Sequence, residues 1–257
     1  MVFGFLKSRG KVETPPPSVP PGIRAYAIGD VHGCVAEYDA LMARILEDDA
    51  ARGPAKSVLV LLGDLVDRGP DSAGAIRRAM ALPDRFAETR VIAGNHEEVF
   101  LEALTGETES LRFFTRIGGR ETILSYGIDP DEYERSNYTQ IGKLLAQAVP
   151  EEHVAFLGDL EDMVEIGDYL FVHAGIKPGV AFEDQTTNDL RWIRAPFLTS
   201  ERDHGKIVIH GHNISETPDE QPNRIGIDTG AYRTGKLTAI GLEGEQRWFL
   251  STGDPLD

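Results

Sequence analysis

Cysteine is all but missing from this chain of 257 residues, where Cys34 stands alone. No disulfide can form within the chain, so its fold does not depend on an oxidising compartment. Long apolar runs are missing as well. None approaches the ~20 residues that span a bilayer, and the opening Met1–Arg9 is too short and too quickly charged for a secretory leader. On these grounds neither a membrane-spanning helix nor stable membrane insertion is expected, and the expectation is a cytoplasmic protein. Basic charge is scarce: 26 Lys and Arg against 42 Asp and Glu give a formal charge of −16. That balance repels polyanions and argues against a nucleic-acid-binding surface. A bound metal pair would make one cleft locally positive all the same. With 41% hydrophobic and 26% charged residues, the remainder has the composition of a globular chain long enough to bury a core.

Proline is concentrated rather than spread. Thr14-Pro15-Pro16-Pro17-Ser18-Val19-Pro20-Pro21-Gly22 offers few amide donors and favours a stiff, extended spacer. Residues 1–22 are therefore expected to form a flexible arm, and 23–257 a single domain. From Arg24 a short apolar run, a glycine-bearing loop and an amphipathic stretch follow one another three times. The runs are Ala25–Ile28, Ser57–Leu62 and Arg90–Ala93. Strands alternating with helices imply an α/β fold with a parallel sheet, whose loops gather beyond the carboxyl ends of the strands. Residues 104–157 carry no comparable strand and are expected to form a helical insertion beside those loops, the natural place for substrate choice. Beyond it, Met163–Ile166, Tyr169–Val172, Lys206–Ile209, Arg224–Ile227, Leu237–Ile240 and Gln246–Leu250 predict a second, mostly β layer.

The three loops carry Gly29-Asp30-Val31-His32-Gly33, Gly63-Asp64-Leu65-Val66-Asp67-Arg68-Gly69 and Gly94-Asn95-His96-Glu97. Asp30 and His32, two apart in one turn, offer a carboxylate and an imidazole to one cation. Asp64 can bridge with its two oxygens, and Asn95 offers a neutral carbonyl. His173, after Leu170-Phe171-Val172, and His212, in His210-Gly211-His212-Asn213, stand in the same strand-end context. A mixed N/O set without thiolate suits Mn, Fe or Zn. Two cations ~4 Å apart clamp a phosphoryl group and activate a bridging hydroxide, so no covalent nucleophile is needed. The proton for the leaving oxygen needs its own carrier. His96 is the candidate acid, with Asp67 orienting the ring and raising its pKa. The planar fork of Arg68 suits a phosphate.

These residues resemble the calcineurin-like metallophosphoesterases, and within them the serine/threonine phosphoprotein phosphatase branch with its small bacterial and phage members. GDVHG, GDLVDRG, GNHE, His173-Ala174-Gly175 and Gly211-His212 occur in the family's order across about residues 23–250. The resemblance implies a four-layer α-β-β-α sandwich with a dinuclear site at the carboxyl ends of its strands. One ion would be held by Asp30, His32 and Asp64, the other by Asp64, Asn95, His173 and His212. His96 with Asp67 would form the acid pair, and Arg68 and Asn95 would meet the phosphate. Asn188-Asp189-Leu190-Arg191-Trp192-Ile193-Arg194 is similar to a family segment that places a phosphate-binding arginine two residues after tryptophan, which implies Arg194. Ile227–Tyr232 is similar to a late family loop that would bring Tyr232 to the substrate. One departure is Ala93, where phage-type members have an arginine.

The expectation is thus a metal-dependent phosphatase acting on phosphoserine and phosphothreonine in partner proteins, by direct attack of a metal-bridging hydroxide. The alternative is a symmetrical dinucleoside polyphosphate hydrolase, set aside because Asp67 and Glu97 follow the phosphoprotein phosphatase form of their blocks. A second alternative is a binding module that has lost catalysis. Cys34 reads as a small packed residue and His210 as structural. His153 and His204 lie in polar segments and read as exposed bystanders, while Glu97 and Glu98 read as first-turn charges meeting a helix dipole.

Overall fold

The alternation of small and large residues in the first strand already defines the layers. In the computed structural model, which describes residues 15–82 and 85–253, β1 (Ile23–Ile28) sends Tyr26 and Ile28 to one face and Ala25 and Ala27 to the other. The first face packs on helices, the second on another sheet. β1 is followed by α1 (Val35–Ala51), β2 (Lys56–Leu61), α2 (Ser72–Met80), β3 (Glu88–Val91) and α3 (Asn95–Leu104). β1, β2 and β3 pair in parallel, with Ile28 opposite Leu61 and Leu61 opposite Val91. The three motif loops therefore leave the same edge of the sheet.

A helical stretch then intervenes: α4 (Thr108–Phe114), a wide turn at Thr115–Gly119, α5 (Arg120–Ser125), α6 (Pro130–Arg135), α7 (Tyr138–Ala148) and α8 (Glu151–Gly158). It is held by an apolar surface that includes Leu111, Phe114, Ile123, Ile141 and Leu145. Next come β4 (Met163–Ile166), β5 (Tyr169–Val172), α9 (Thr187–Trp192), α10 (Ala195–Leu198), β6 (Ile207–His210), β7 (Asp219–Gln221) and β8 (Arg224–Gly226). The chain closes with α11 (Ala231–Thr234), β9 (Thr238–Glu243) and β10 (Gln246–Ser251).

The strands form two five-stranded sheets, ordered β10-β9-β1-β2-β3 and β4-β5-β6-β8-β7. Val58, Val60, Leu62 and Ile92 of the first face Val164, Phe171, Ile209 and Ile225 of the second across one apolar layer. The outer face of the second sheet, Leu170, Val172 and Val208, packs on Ile176, Leu190 and Phe197 around α9 and α10. The result is the expected α-β-β-α sandwich.

Two details depart from the sequence pattern. The last two strands do not join the second layer: β9 pairs antiparallel with β1 and makes the first sheet mixed. Its alternation serves both inner faces, with Ala239 on the helical side and Ile240 and Leu242 between the sheets. β7, Asp219-Glu220-Gln221, is an edge strand too polar to betray itself by hydrophobicity. Of the segment expected to be an arm, residues 1–14 lie outside the described residues. Its later part is docked: the Ser18 N–H donates to Asp168 Oδ2 at 2.9 Å, and the Val19 N–H to the Gly244 carbonyl at 3.0 Å. Among the described residues no helix is long and apolar enough to cross a membrane.

Candidate metal centre

Non-glycine residues avoid positive φ because Cβ then crowds the backbone, at roughly 1–2 kcal/mol each. Among the described residues five adopt it: His32 (46°), Asp64 (47°), Asp67 (72°), Arg68 (67°) and His212 (63°). All five belong to the motif loops, so the backbone strain of the molecule is concentrated where the chemistry was expected. The loops are tied to one another. His32 N–H donates to the Asp64 carbonyl at 2.7 Å, and Gly211 N–H to the His173 carbonyl at 2.8 Å. At Gly211 any Cβ would collide with the Asp30 carboxylate, which fixes glycine there.

Asp64 sits at the middle. Its Oδ2 lies 3.5 Å from Nε2 of both His32 and His173 and 3.9 Å from Nε2 of His96. The donor atoms of His32, Asp64 and His96 lie within 4.8 Å of one another, as do those of Asp64, His173 and His212. Asp64 is thus common to two ligand groups. Asn95 Oδ1 joins the second at 3.1 Å from His173 Nε2, and His212 Nδ1 lies 3.2 Å from the same atom. In the first group His96 comes within reach, whereas Asp30 turns both carboxylate oxygens to the His212 N–H at 3.1 and 3.0 Å.

The donor set fits divalent cations. His32 Nδ1 lies 2.7 Å from the Val66 carbonyl and His173 Nδ1 lies 2.8 Å from the Leu62 carbonyl. A proton on each Nδ1 leaves each Nε2 as a lone pair aimed inward. Burial lowers the pKa of His32, of His173 to about 4 and of His212 to about 2, so the rings are neutral, the form that ligates metal. Asp30, Asp64 and Asp228 are all at least 98% buried. Desolvation raises each pKa, and Asp30 is pushed up further by Asp228 and Asp64. Buried carboxylates crowded together need positive charge.

His96 and Asp67, expected to act as an acid pair, are in contact: His96 Nδ1 lies 2.6 Å from Asp67 Oδ2. The pKa directions differ from expectation. Burial lowers His96, with Arg68 acting the same way against Asp64, while desolvation pushes the Asp67 carboxyl up to about 8. The geometry places the shared proton on the ring: Arg68 Nη2 donates to His96 Nε2, so Nδ1 carries the N–H and donates to Asp67 Oδ2. Arg68 spans the front of the site, with Nη1 2.9 Å from His32 Nε2 and Nη2 2.8 Å from His96 Nε2. Tyr232 flanks it, its ring 5.3 Å from that of His32 and 5.0 Å from the Arg68 guanidinium. Arg194 is exposed at the rim and donates to Asn213 Oδ1 at 2.8 Å, one residue past His212.

Several residues do more, or less, than their sequence context signals. The Glu97 carboxylate accepts the backbone N–H groups of Asp64, Leu65, Val66 and Gly94 at 2.7–3.2 Å, tying two motif loops together. Its place three residues past the helix N-cap was the available signal. Asp228 is a further carboxylate against Asp30. Nothing in Ile227–Tyr232 marked it, because only the pairing of β6 with β8 brings it there. His153 is not exposed: it is buried and its Nδ1 lies 2.9 Å from the Tyr126 hydroxyl. His210 packs edge-on against Phe197 at 5.1 Å, away from the ligand groups. Cys34 is buried, its thiol pushed up to about 12.

The sandwich and its shared carboxylate define a metallophosphoesterase. A family model, calcineurin-like phosphoesterase, matches residues 23–235, and the chain belongs to that family. Among curated relatives, the symmetrical bis(5'-nucleosyl)-tetraphosphatase of Chromohalobacter salexigens is 27% identical over 84% of this chain and 94% of its own length. The asymmetrical bis(5'-nucleosyl)-tetraphosphatase PrpE of Anoxybacillus flavithermus is 26% identical over 83% and 88%. A solved structure provisionally described as a diadenosine tetraphosphatase covers 93% of this chain and 100% of its own, with a TM-score of 0.65 and 21% identity.

These relatives overturn the expectation of a serine/threonine protein phosphatase with phosphoprotein partners. The geometry shows why the sequence argument failed. Asp67 is bound to His96 and to hydroxyls within the fold, and Glu97 is enclosed by backbone N–H groups. Both residues assemble the site and neither faces outward to select a substrate, so neither discriminates between the branches.

Proposed function

We propose that the chain is a metal-dependent hydrolase of dinucleoside polyphosphates, cleaving a phosphoanhydride bond of a substrate such as diadenosine tetraphosphate. The observation that carries the reading is the alignment with named tetraphosphatases over more than four fifths of the chain. The site supports it chemically. Neutral imidazoles and carboxylates suit two divalent ions of the Mn, Fe or Zn type. One would be held by Asp30, His32 and Asp64, the other by Asp64, Asn95, His173 and His212. When bound, such a pair supplies Lewis-acid charge for the phosphoryl oxygens and lowers the pKa of water.

The chain's own groups then divide the work. Ligation of His32 through Nε2 takes away one acceptor of Arg68 and leaves its Nη1 for a phosphate oxygen. Arg194, on the rim beside Asn213, meets a neighbouring phosphate of the polyphosphate chain, and Tyr232 lines the approach. His96 is held by Asp67 through Nδ1 and turns Nε2 to the site; once Arg68 Nη2, which now donates to that nitrogen, turns to a phosphate oxygen, a protonated Nε2 would be free to protonate the departing oxygen. A nucleotide leaving group has a terminal phosphate whose second pKa is about 6. It needs that proton far less than a serine alkoxide would. Residues 23–257 act in this reading as one catalytic domain, with the helical stretch at 104–157 bordering the substrate.

The test compares kcat/KM on diadenosine tetraphosphate with that on phosphoserine, phosphothreonine and phosphotyrosine peptides, using metal-analysed protein. The dinucleotide is expected to be cleaved fastest, and faster cleavage of any peptide overturns the reading. Chromatography of the products decides the position of attack: two diphosphates for symmetrical cleavage, a triphosphate and a monophosphate for asymmetrical.

A further inference from the structure

The helical stretch between α3 and β4 reaches into the site at one point. Asp67 and Arg68 are consecutive non-glycine residues at positive φ, a conformation that persists only where its surroundings hold it. The Arg68 N–H donates to the Gly118 carbonyl at 3.0 Å. Gly118 itself has φ 123°, and a Cβ there would stand 2.7 Å from Arg68 Cγ. The Asp67 N–H lies 2.9 Å from both Ser72 Oγ and Thr122 Oγ1. Thr122 Oγ1 in turn lies 2.6 Å from Asp67 Oδ1 and 2.8 Å from Ser72 Oγ. Asp67, Ser72 and Thr122 are each 0% exposed.

The hydrogen-bond inventory of this cluster closes without remainder. Thr122 donates its one O–H to Asp67 Oδ1 and accepts from the Asp67 N–H and the Ser72 O–H. Ser72 accepts from the Asp67 N–H and donates to Thr122. The Asp67 carboxylate is therefore gripped on both oxygens, Oδ1 by Thr122 and Oδ2 by His96, and cannot swing without breaking a buried bond.

We propose that Thr122 is a positioning residue for the Asp67–His96 pair, through which the helical stretch sets the aim of the proton donor. This rests on the reading of that pair as the donor to the leaving oxygen. Without the hydroxyl, Asp67 Oδ1 loses its donor and the carboxylate turns, and with it the His96 ring. Thr122 touches no ligand of either metal group, so ion content is unaffected. The loss falls on kcat rather than KM and grows as the leaving group becomes more basic.

The experiment uses the full chain with metal content measured. For wild type, Thr122→Val, Thr122→Ala and Thr122→Ser, kcat and KM are determined on diadenosine tetraphosphate and on aryl phosphates of rising leaving-group pKa. Melting curves fix a temperature at which every variant is folded. Val and Ala are expected to lower kcat about 10-fold on the poorest leaving groups and less than 3-fold on the best. KM should change little, and Ser should restore the rate. Equal losses across the series, a loss confined to KM, or a Ser variant as slow as Val overturns the proposal. If the tetraphosphate is not cleaved, the functional reading fails, while the aryl phosphate series still decides the role of Thr122.

Discussion

His173 Nε2 and Asn95 Oδ1 face each other at 3.1 Å with no proton between them, since the Nδ1 of His173 lies 2.8 Å from the Leu62 carbonyl. Two lone pairs at that distance repel unless a cation lies within reach of both. Asp64 Oδ2, 3.5 Å from the same nitrogen, adds a third. The arrangement distinguishes a ligand cluster from a satisfied core histidine, which would spread its nitrogens over a donor and an acceptor.

Metal content and activity should therefore fall together, and by residue. Chelation is expected to abolish turnover and lower Tm, because ions bound only by the folded state stabilise it by mass action. His173→Ala should retain about one ion of two, whereas Asp64→Ala, which removes the shared carboxylate, should retain neither tightly. Elemental analysis of dialysed protein checks both. Full activity after chelation would rule out the metal mechanism, and no turnover with two ions verified in place would revive the binding-module reading.

Glu97 should behave as a structural keystone of the loops rather than as a surface charge. Hydrogen bonds to a charged group contribute roughly 1.5–3 kcal/mol each, and this carboxylate accepts four backbone N–H groups in a fully buried setting. Glu97→Gln would turn two amide hydrogens against backbone donors. A loss of about 3 kcal/mol is expected in urea denaturation, with weaker metal retention because the Asp64 loop relaxes. A change below about 0.5 kcal/mol, typical of a surface site, would show that the loops hold themselves.

How much of this was legible follows from the range of the interactions. That Asp30, His32, Asp64 and Asn95 come together was legible because their loops follow apolar runs, and strand ends in a parallel sheet converge. His173 and His212 were legible for the same reason. The return of β9 to the first sheet was not, because Thr238–Glu243 alternates in a way that suits either sheet. Thr122 and Asp228 were beyond reach: one is a hydroxyl in a helix 55 residues from Asp67, the other a carboxylate whose partner lies across two sheets. The substrate was misread because Asp67 and Glu97, used to discriminate, contact only the protein.

Arg194 offers a test of substrate grip away from the ions. It is exposed and anchored by one bond to Asn213, and its charge reaches the site, where it helps to lower the pKa of His212. A charge-assisted hydrogen bond to a phosphate contributes about 1.5–3 kcal/mol. Arg194→Ala is accordingly expected to reduce kcat/KM on diadenosine tetraphosphate about 10- to 100-fold, mostly through KM, and to spare a small aryl phosphate. Equal losses on both would place the arginine in the fold rather than on the polyphosphate.

Acid should destabilise the chelated protein partly through His210. Its ring is fully buried against Phe197, one nitrogen has no hydrogen-bond partner, and desolvation lowers its pKa to about 4. The unfolded chain takes up a proton near pH 6.5 that the folded state refuses until about pH 4. The stabilisation from this residue is thus complete above pH 6.5 and is lost as the pH falls, up to about 3 kcal/mol. Urea midpoints at pH 7.5 and pH 5 should separate less in His210→Leu than in the wild type, with unchanged m-values. Because the other buried histidines titrate equally in both proteins, the difference between the two shifts isolates His210, and parallel shifts would exclude it.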